Sequence, residues 1–435
     1  MSYLYINLLQ TFILFFFLLL NFSSLTANEV NDGSGFGPTR FKAELLARAS
    51  HLDSFALPDK AILNNVNPLI NNRGDVCFKV LRVGDKPQQG LWFKEALSDQ
   101  LGRVAILSPE EFYLSDPSLN DDGKVAFTVF DENESLGLFL LDTKANKYKK
   151  LLAPDKKNNI EFFTYPTITN KGDVFFRGTD RSDVRALYRL KTSLVKIIEE
   201  GESFSDELKA SYLFRPGFND DGQLALKMRL GNKGEWNESN PDVIAFLDPF
   251  KKEKKMKIVA VDRDFDSQVK SVSLTNFVGL SNKNQVVYQA LLDDGRSGIF
   301  MTTISSQESN TITKTQKVVL EGEGDLTNIE KFPVKVNGLG HIIFRGVAKD
   351  GKRSIFFYNG TSIKRIISEG ETIDTDKGSG MILHNQFYPG FSGEIDINDQ
   401  DEIVFSAVLV NAKNPIEEWG QGVFKLSPLK DVIPQ

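Results

Sequence analysis

Short apolar runs recur along this chain, each entered through the same polar turn. The strings NNRGDVCF from Asn71, NDDGKVAF from Asn120, TNKGDVFF from Thr169, NDDGQLAL from Asn219, SNKNQVVY from Ser281, NGLGHIIF from Asn337 and NDQDEIVF from Asn398 align without gaps. Their starts lie 49, 49, 50, 62, 56 and 61 residues apart, so a unit of about 50 residues occurs seven times. The fourth column reads Gly74, Gly123, Gly172, Gly222, Asn284, Gly340 and Asp401. Gly, Asn and Asp are the residues that tolerate positive φ in a tight turn, so this column states a backbone requirement. Two and four residues later come Val76, Val125, Val174, Leu224, Val286, Ile342 and Ile403, then Phe78, Phe127, Phe176, Leu226, Tyr288, Phe344 and Phe405. A period of two predicts a strand. The residues between, from Cys77 and Ala126 to Val404, are apolar as well, so these strands are expected to be buried on both faces.

A second strand is predicted after each of these, at Gly90 to Trp92, Gly137 to Phe139, Ala186 to Tyr188, Ile244 to Phe246, Gly298 to Phe300, Ser354 to Phe356 and Gly422 to Phe424. A third follows in six units, for example Val104 to Leu107, and a short segment, often with Pro, precedes each turn. Each unit therefore reads as a four-stranded antiparallel meander, strands A to D, with the polar turn joining A to B. The last unit lacks its D strand, and Phe41 to Ala49, FKAELLARA, supplies one at the other end of the chain. That permutation closes a ring and hides edges, which an open stack of repeats would not need. The expected fold is all-β, one seven-bladed β-propeller over residues 41–435 whose last blade is closed by the N-terminal strand, after a flexible lead at 28–40.

Phe12 to Leu20 are nine consecutive apolar residues, enough for the core of a signal peptide and short of the roughly 20 needed to span a bilayer. With Ser23 to Ala27 following, residues 1–27 are expected to be a signal peptide, leaving an exported periplasmic or secreted protein with no membrane span. Composition adds exclusions. A net charge of −6 gives no basic face for nucleic acid, and with one cysteine, Cys77, there is no internal disulfide or Cys-based zinc site. Three scattered histidines give no metal motif, so no metal or cofactor is expected.

The repeated N-x-x-G-x-[VIL]-x-F resembles the tandem NxxGxxxF repeats of bacterial exported proteins, and more distantly the repeats of TolB-type propellers. The resemblance covers nearly the whole chain after the signal segment and implies the fold and export without an activity. Candidate ligand contacts are Trp236 and Trp419, each in a long insertion expected to form a loop between strands B and C, where a Trp can stack on a sugar or peptide. The seven residues of the glycine column, from Gly74 to Asp401, are assigned to turn structure. No catalytic motif is found, and of the A segments only SGEIDI carries acids, Glu394 and Asp396. The expected function is a monomeric binding module for a glycan, peptide or envelope protein. The alternative is a lactonase-like hydrolase using carboxylates and a cation at the channel mouth.

Overall fold

Each turn-and-strand unit forms the inner half of a four-stranded antiparallel blade, and the blades make seven sheets in this computed structural model. The structure describes residues 41–429 apart from 84–87, 156, 204–208, 234, 236–239, 252–255, 263–270, 306–311 and 386–387. The expected signal segment and lead lie outside the described residues, as does Trp236. Blade 3 shows the plan, with strand A at Phe162–Ile168, B at Val174–Thr179, C at Arg185–Leu190 and D at Leu194–Glu199. The other B and C strands are Val76–Val83 and Gln88–Lys94, Lys124–Phe130 and Ser135–Asp142, Leu224–Leu230 and Asp242–Leu247, Gln285–Leu292 and Ser297–Ile304, Ile342–Ala348 and Arg353–Tyr358, and Ile403–Asn411 and Asn414–Pro428. No helix occurs among the described residues, and so none that is long and apolar enough to cross a membrane.

The first turn position does two jobs. Asn71 Oδ1 accepts the backbone N–H of Arg73 and Asp75, closing its own turn, while Nδ2 donates to the carbonyl of Asn120 one blade on, at 2.9 Å. Asn120, Asn337 and Asn398 repeat the arrangement toward Thr169, Asn398 and Asn71. The last of these closes the ring. Thr169 and Ser281 close their own turns, but their single O–H is spent inside the turn and does not reach the next blade. Three residues on, the backbone is left-handed in all seven turns, with φ from 56° at Asn284 to 84° at Gly340.

The period-two positions of strand B face opposite neighbours. The Phe column pairs across to strand C within its blade, as stacked rings 4.5–5.9 Å apart in six blades, Phe78 on Trp92 and Phe344 on Phe356 among them. Blade 4 differs. There Leu226 pairs with Ala245, so the register is Val243 to Ala245, one residue earlier than the sequence pattern suggested, and Phe246 lies opposite Ala225. The alternate column packs on the following blade, Cys77 against Val125 and Phe127, Ile343 against Phe405, and Val404 against Phe78. Seven apolar clusters thus lie between blades, and burial pushes the Cys77 thiol well above its ordinary range.

Blade 7 combines the two ends of the described chain. Strand D is Phe41–Ala49, paired with strand C from Phe41 opposite Pro428 to Ala49 opposite Gln421. Its Arg48 is almost fully buried and donates to both carboxylate oxygens of Asp376 at 2.8 and 2.7 Å, to Asp53, and to the carbonyl of Trp419. Asp376 belongs to a hairpin, Thr372–Thr375 and Gly378–Ile382, added to the far end of strand B. The polar run around Trp419, expected as a loop, is strand instead, because strand B extends to Asn411 and gives it backbone partners.

Two variants separate turn from ring. Asn398→Ala should cost about 2–4 kcal/mol in urea unfolding, since it removes the single acceptor of two turn N–H bonds and one inter-blade bond among buried groups. Asn398→Thr should retain part of that, as Thr169 does; equal losses would contradict the double role. Deleting residues 41–49 should be more damaging than either, because it bares strand C of blade 7 and strands Asp376.

Candidate functional site

The seven A strands surround a central channel of about 270 Å³ lined mainly by Pro, Leu, Ile, Val and Phe. At its turn-face end the second turn residues, Asn72, Asp121, Asn170, Asp220, Asn282 and Asp399, hydrogen-bond around the rim, for example Asn282 Nδ2 to Asp220 Oδ2 at 2.7 Å. Burial and the neighbouring charges of Asp121 and Asp399 raise the pKa of Asp220, so this rim is knit together at an electrostatic cost.

The opposite mouth is chemically different. Four residues before the first turn position of each unit stand Asn67, Asp116, Tyr165, Arg215, Phe277, Pro333 and Glu394, one per blade. Where the turn columns repeat, this column changes in every blade. Four of its members, Asn67, Asp116, Arg215 and Glu394, are joined by hydrogen bonds. Glu394 Oε1 accepts from Arg215 Nη1 at 2.9 Å and Oε2 from Lys335 Nζ at 2.8 Å, joining blades 7, 4 and 6. The Glu394 N–H donates to Asn67, whose Nδ2 donates to Asp116, itself 3.1 Å from Lys79. Tyr165 has φ of 54° within a bulge of strand A and remains 38% exposed, with the guanidinium of Arg177 4.7 Å from its ring centre. An exposed aromatic held in a strained conformation, costing of order 1 kcal/mol, is a mark of a functional position.

Strand B anchors this mouth from behind. The residue after the Phe column is Lys79, Arg177, Lys227 or Arg345 in four blades, and each donates to a carbonyl of the next blade. Arg345, nearly fully buried, holds the carbonyls of Phe391 and Gly393 at 3.0 and 2.8 Å and so fixes the strand that carries Glu394. Gly393 itself has φ of 69°, and a Cβ there would sit 2.0 Å from the carbonyl oxygen of Val66. Only glycine lets blades 7 and 1 approach this closely.

The two channel acids sit in opposed environments. Burial pushes Glu394 up, but Lys335 and Arg215 outweigh it and bring its pKa down to about 2. Burial raises the Asp396 carboxyl, which Lys335 and the Ile70 N–H at 3.1 Å only partly offset. Among the described residues no group of three or more His, Cys, Asp or Glu side chains is placed to hold a metal ion.

Of the two tryptophans singled out in the sequence, Trp419 is 5% exposed, packed in the blade 7 core with Nε1 on Glu417 and Lys377 5.9 Å from its ring. A ring so enclosed is part of the clasp on the N-terminal strand, not a stacking platform, and Trp236 is outside the described residues. Tyr165, Arg215, Asn67 and Asp116 were missed, although counting four back from each turn finds them all.

Residues 149–433 match a family model described as "Family of unknown function (DUF7453)", and the chain belongs to that family. No curated protein is significantly similar in sequence. Among solved structures, an oligogalacturonate lyase in complex with manganese superposes with a TM-score of 0.53 at 11% identity, over 91% of this chain and 98% of that one. A puromycin-hydrolyzing peptidase of Mycobacterium tuberculosis gives 0.48 at 10% identity, over 91% of this chain and 57% of that one. A putative TolB from Agrobacterium tumefaciens gives 0.35 at 10%, over 75% of this chain and 94% of that one. These likenesses are to the fold.

The opposed acids predict opposed pH behaviour. Glu394 binds its proton less readily when folded than at its ordinary 4.5, so its stabilisation is complete above that value and lost as pH falls toward 2. Glu394→Gln should therefore lower the melting temperature at pH 7 and lose that effect in strong acid. Asp396 binds its proton more readily when folded, so its ionisation weakens the fold as pH rises through its range. Asp396→Asn, which still accepts from Ile70, should raise the melting temperature at pH 7, with the gain fading once Asp396 itself is protonated; a loss at pH 7 would refute this account.

Proposed function

We propose that this propeller is an exported binding module that takes the end of a saccharide at the channel mouth formed by Tyr165, Arg215, Glu394 and Asn67. The observation that carries this is the column four residues before each turn. It occupies one level of a sevenfold ring, yet holds seven different residue types, six of them aromatic, polar or charged where structure alone would ask for repetition. Tyr165 offers a ring face beside hydrogen-bonding groups, the combination that sugars demand. An oligogalacturonate lyase with the same fold gives a saccharide on a propeller a precedent. Export rests on the apolar core Phe12 to Leu20, and fits a ligand met outside the cytoplasm.

The alternative of a hydrolase is favoured by one observation, the opposed shifts of Glu394 and Asp396, since a carboxylate pair driven apart in pKa is how acid and base roles are assigned. Binding leads because Glu394 is already held by two cations and Asp396 is tied to the Ile70 N–H, leaving neither side chain poised for proton transfer.

A glycan array followed by calorimetry on the best ligand decides the matter. Tyr165→Gly removes the ring and relieves its backbone, so affinity should fall tenfold or more, about 1.4 kcal/mol, without a lower melting temperature. Unchanged affinity in Tyr165→Gly and in Arg215→Ala would place the ligand elsewhere. Turnover of the bound glycan that disappears in Asp396→Asn would establish the hydrolase.

A further inference from the structure

The guanidiniums of this propeller are not all put to the same use. Arg48 and Arg345, which serve the fold, each donate through all three side-chain nitrogens, Arg48 to Asp376, Asp53 and the Trp419 carbonyl, and Arg345 to Glu330 and the carbonyls of Gly393 and Phe391. Arg215 donates through one. Its Nη1 holds Glu394 at 2.9 Å, while Nε and Nη2 have no hydrogen-bond partner among the described residues. The side chain is 33% exposed in the wall of the channel, and the buried polar atoms that lack partners lie elsewhere, so water reaches both nitrogens. Nε and Nη2 make the side-on edge of a guanidinium, whose two parallel N–H groups match the two oxygens of a carboxylate.

The surroundings of this edge favour an anion. Lys335 and Arg215 share one carboxylate, that of Glu394. Arg177 lies 4.7 Å from the centre of the Tyr165 ring and spends its N–H groups on Thr164, Tyr212 and the Leu213 carbonyl, with no carboxylate within ion-pair distance among the described residues. Asp116 is matched by Lys79, and Asp396 is buried with the Ile70 N–H on it. Cations therefore outnumber acids here even with Asp396 ionised, and a channel of low dielectric strengthens their field. The Arg215 guanidinium is also 5.9 Å from the centre of the exposed Tyr165 ring, so a group held on its open edge stands beside whatever stacks on that ring.

We propose that the saccharide taken at this mouth ends in a uronic acid, its ring on Tyr165 and its carboxylate on the Nε–Nη2 edge of Arg215. The inference rests on the mouth being the saccharide site and adds the class of sugar. A neutral sugar would cover the open edge of Arg215 without pairing it, a desolvation cost that a uronate avoids.

Glucuronic acid, glucose and glucuronamide, which keeps the ring and replaces the carboxylate by an uncharged amide, serve as probes in saturation-transfer NMR and calorimetry on the intact protein. Glucuronate should bind about tenfold or more tightly than either neutral sugar. Arg215→Lys keeps a cation beside Glu394 but loses the fork, so it should cut that preference to about threefold or less while melting close to the parent. Tyr165→Gly should weaken all three probes alike, since stacking on the ring does not depend on the carboxylate. A preference for glucuronate undiminished in Arg215→Lys would overturn the role given to Arg215. No binding of glucuronate at millimolar concentration, or equal binding of all three sugars, would overturn the uronate and leave the mouth to a neutral saccharide. Binding that neither variant alters would remove the saccharide site itself.

Discussion

One side chain at the first turn position carries the architecture, because its carboxamide has an acceptor and a donor that point to different blades. The acceptor fixes the bend between strands A and B, and in four blades the donor reaches the carbonyl of the adjacent turn, so there the side chain that shapes a blade also places it in the ring. The positive φ three residues later follows from that bend, and the strand B alternation follows from the bend's orientation. One alternate row stacks rings within the blade and the other fills the seam to the next, which leaves the channel wall as the level least constrained by packing.

Freedom at that level is what the mouth uses. Arg345 and its counterparts Lys79, Arg177 and Lys227 spend cations on holding neighbouring carbonyls, so the inner strands are positioned from behind and their own side chains are left to differ. The Arg215, Lys335 and Glu394 bridge joins blades 4, 6 and 7 into one set across the opening. In a channel of low dielectric such a set is strongly coupled, and the opposed states of Glu394 and Asp396 are its electrostatic signature.

Blade number, strand order and the borrowed D strand were legible because they are enforced seven times by the same physics. Where a unit departs from the average, reading failed for identifiable reasons. In blade 4, Leu226 and Ala245 replace the ring pair, and the eye follows Phe246 into the wrong register. The segment around Trp419 has the composition of a loop, but strand B, extended to Asn411, gives it partners that no local pattern reveals. The mouth residues escaped for the converse reason. They share a position and no chemistry, so they become visible only when counted from the turns.

The borrowed strand also sets an order of events. Phe41–Ala49 leaves the ribosome before any blade exists, yet its partner, strand C of blade 7, is made only after the other six blades. The first half-formed edge of the molecule must therefore stay unpaired throughout synthesis, alternating charged and apolar side chains in FKAEL in a way that discourages premature pairing. Closing so long a loop adds little entropy over closing a shorter one, so delay, and not equilibrium cost, is the burden. A ring of this kind cannot be matured blade by blade as it emerges. It is latched once, at the end, and Arg48 drops into its buried position between Asp376 and the Trp419 carbonyl only when that latch closes.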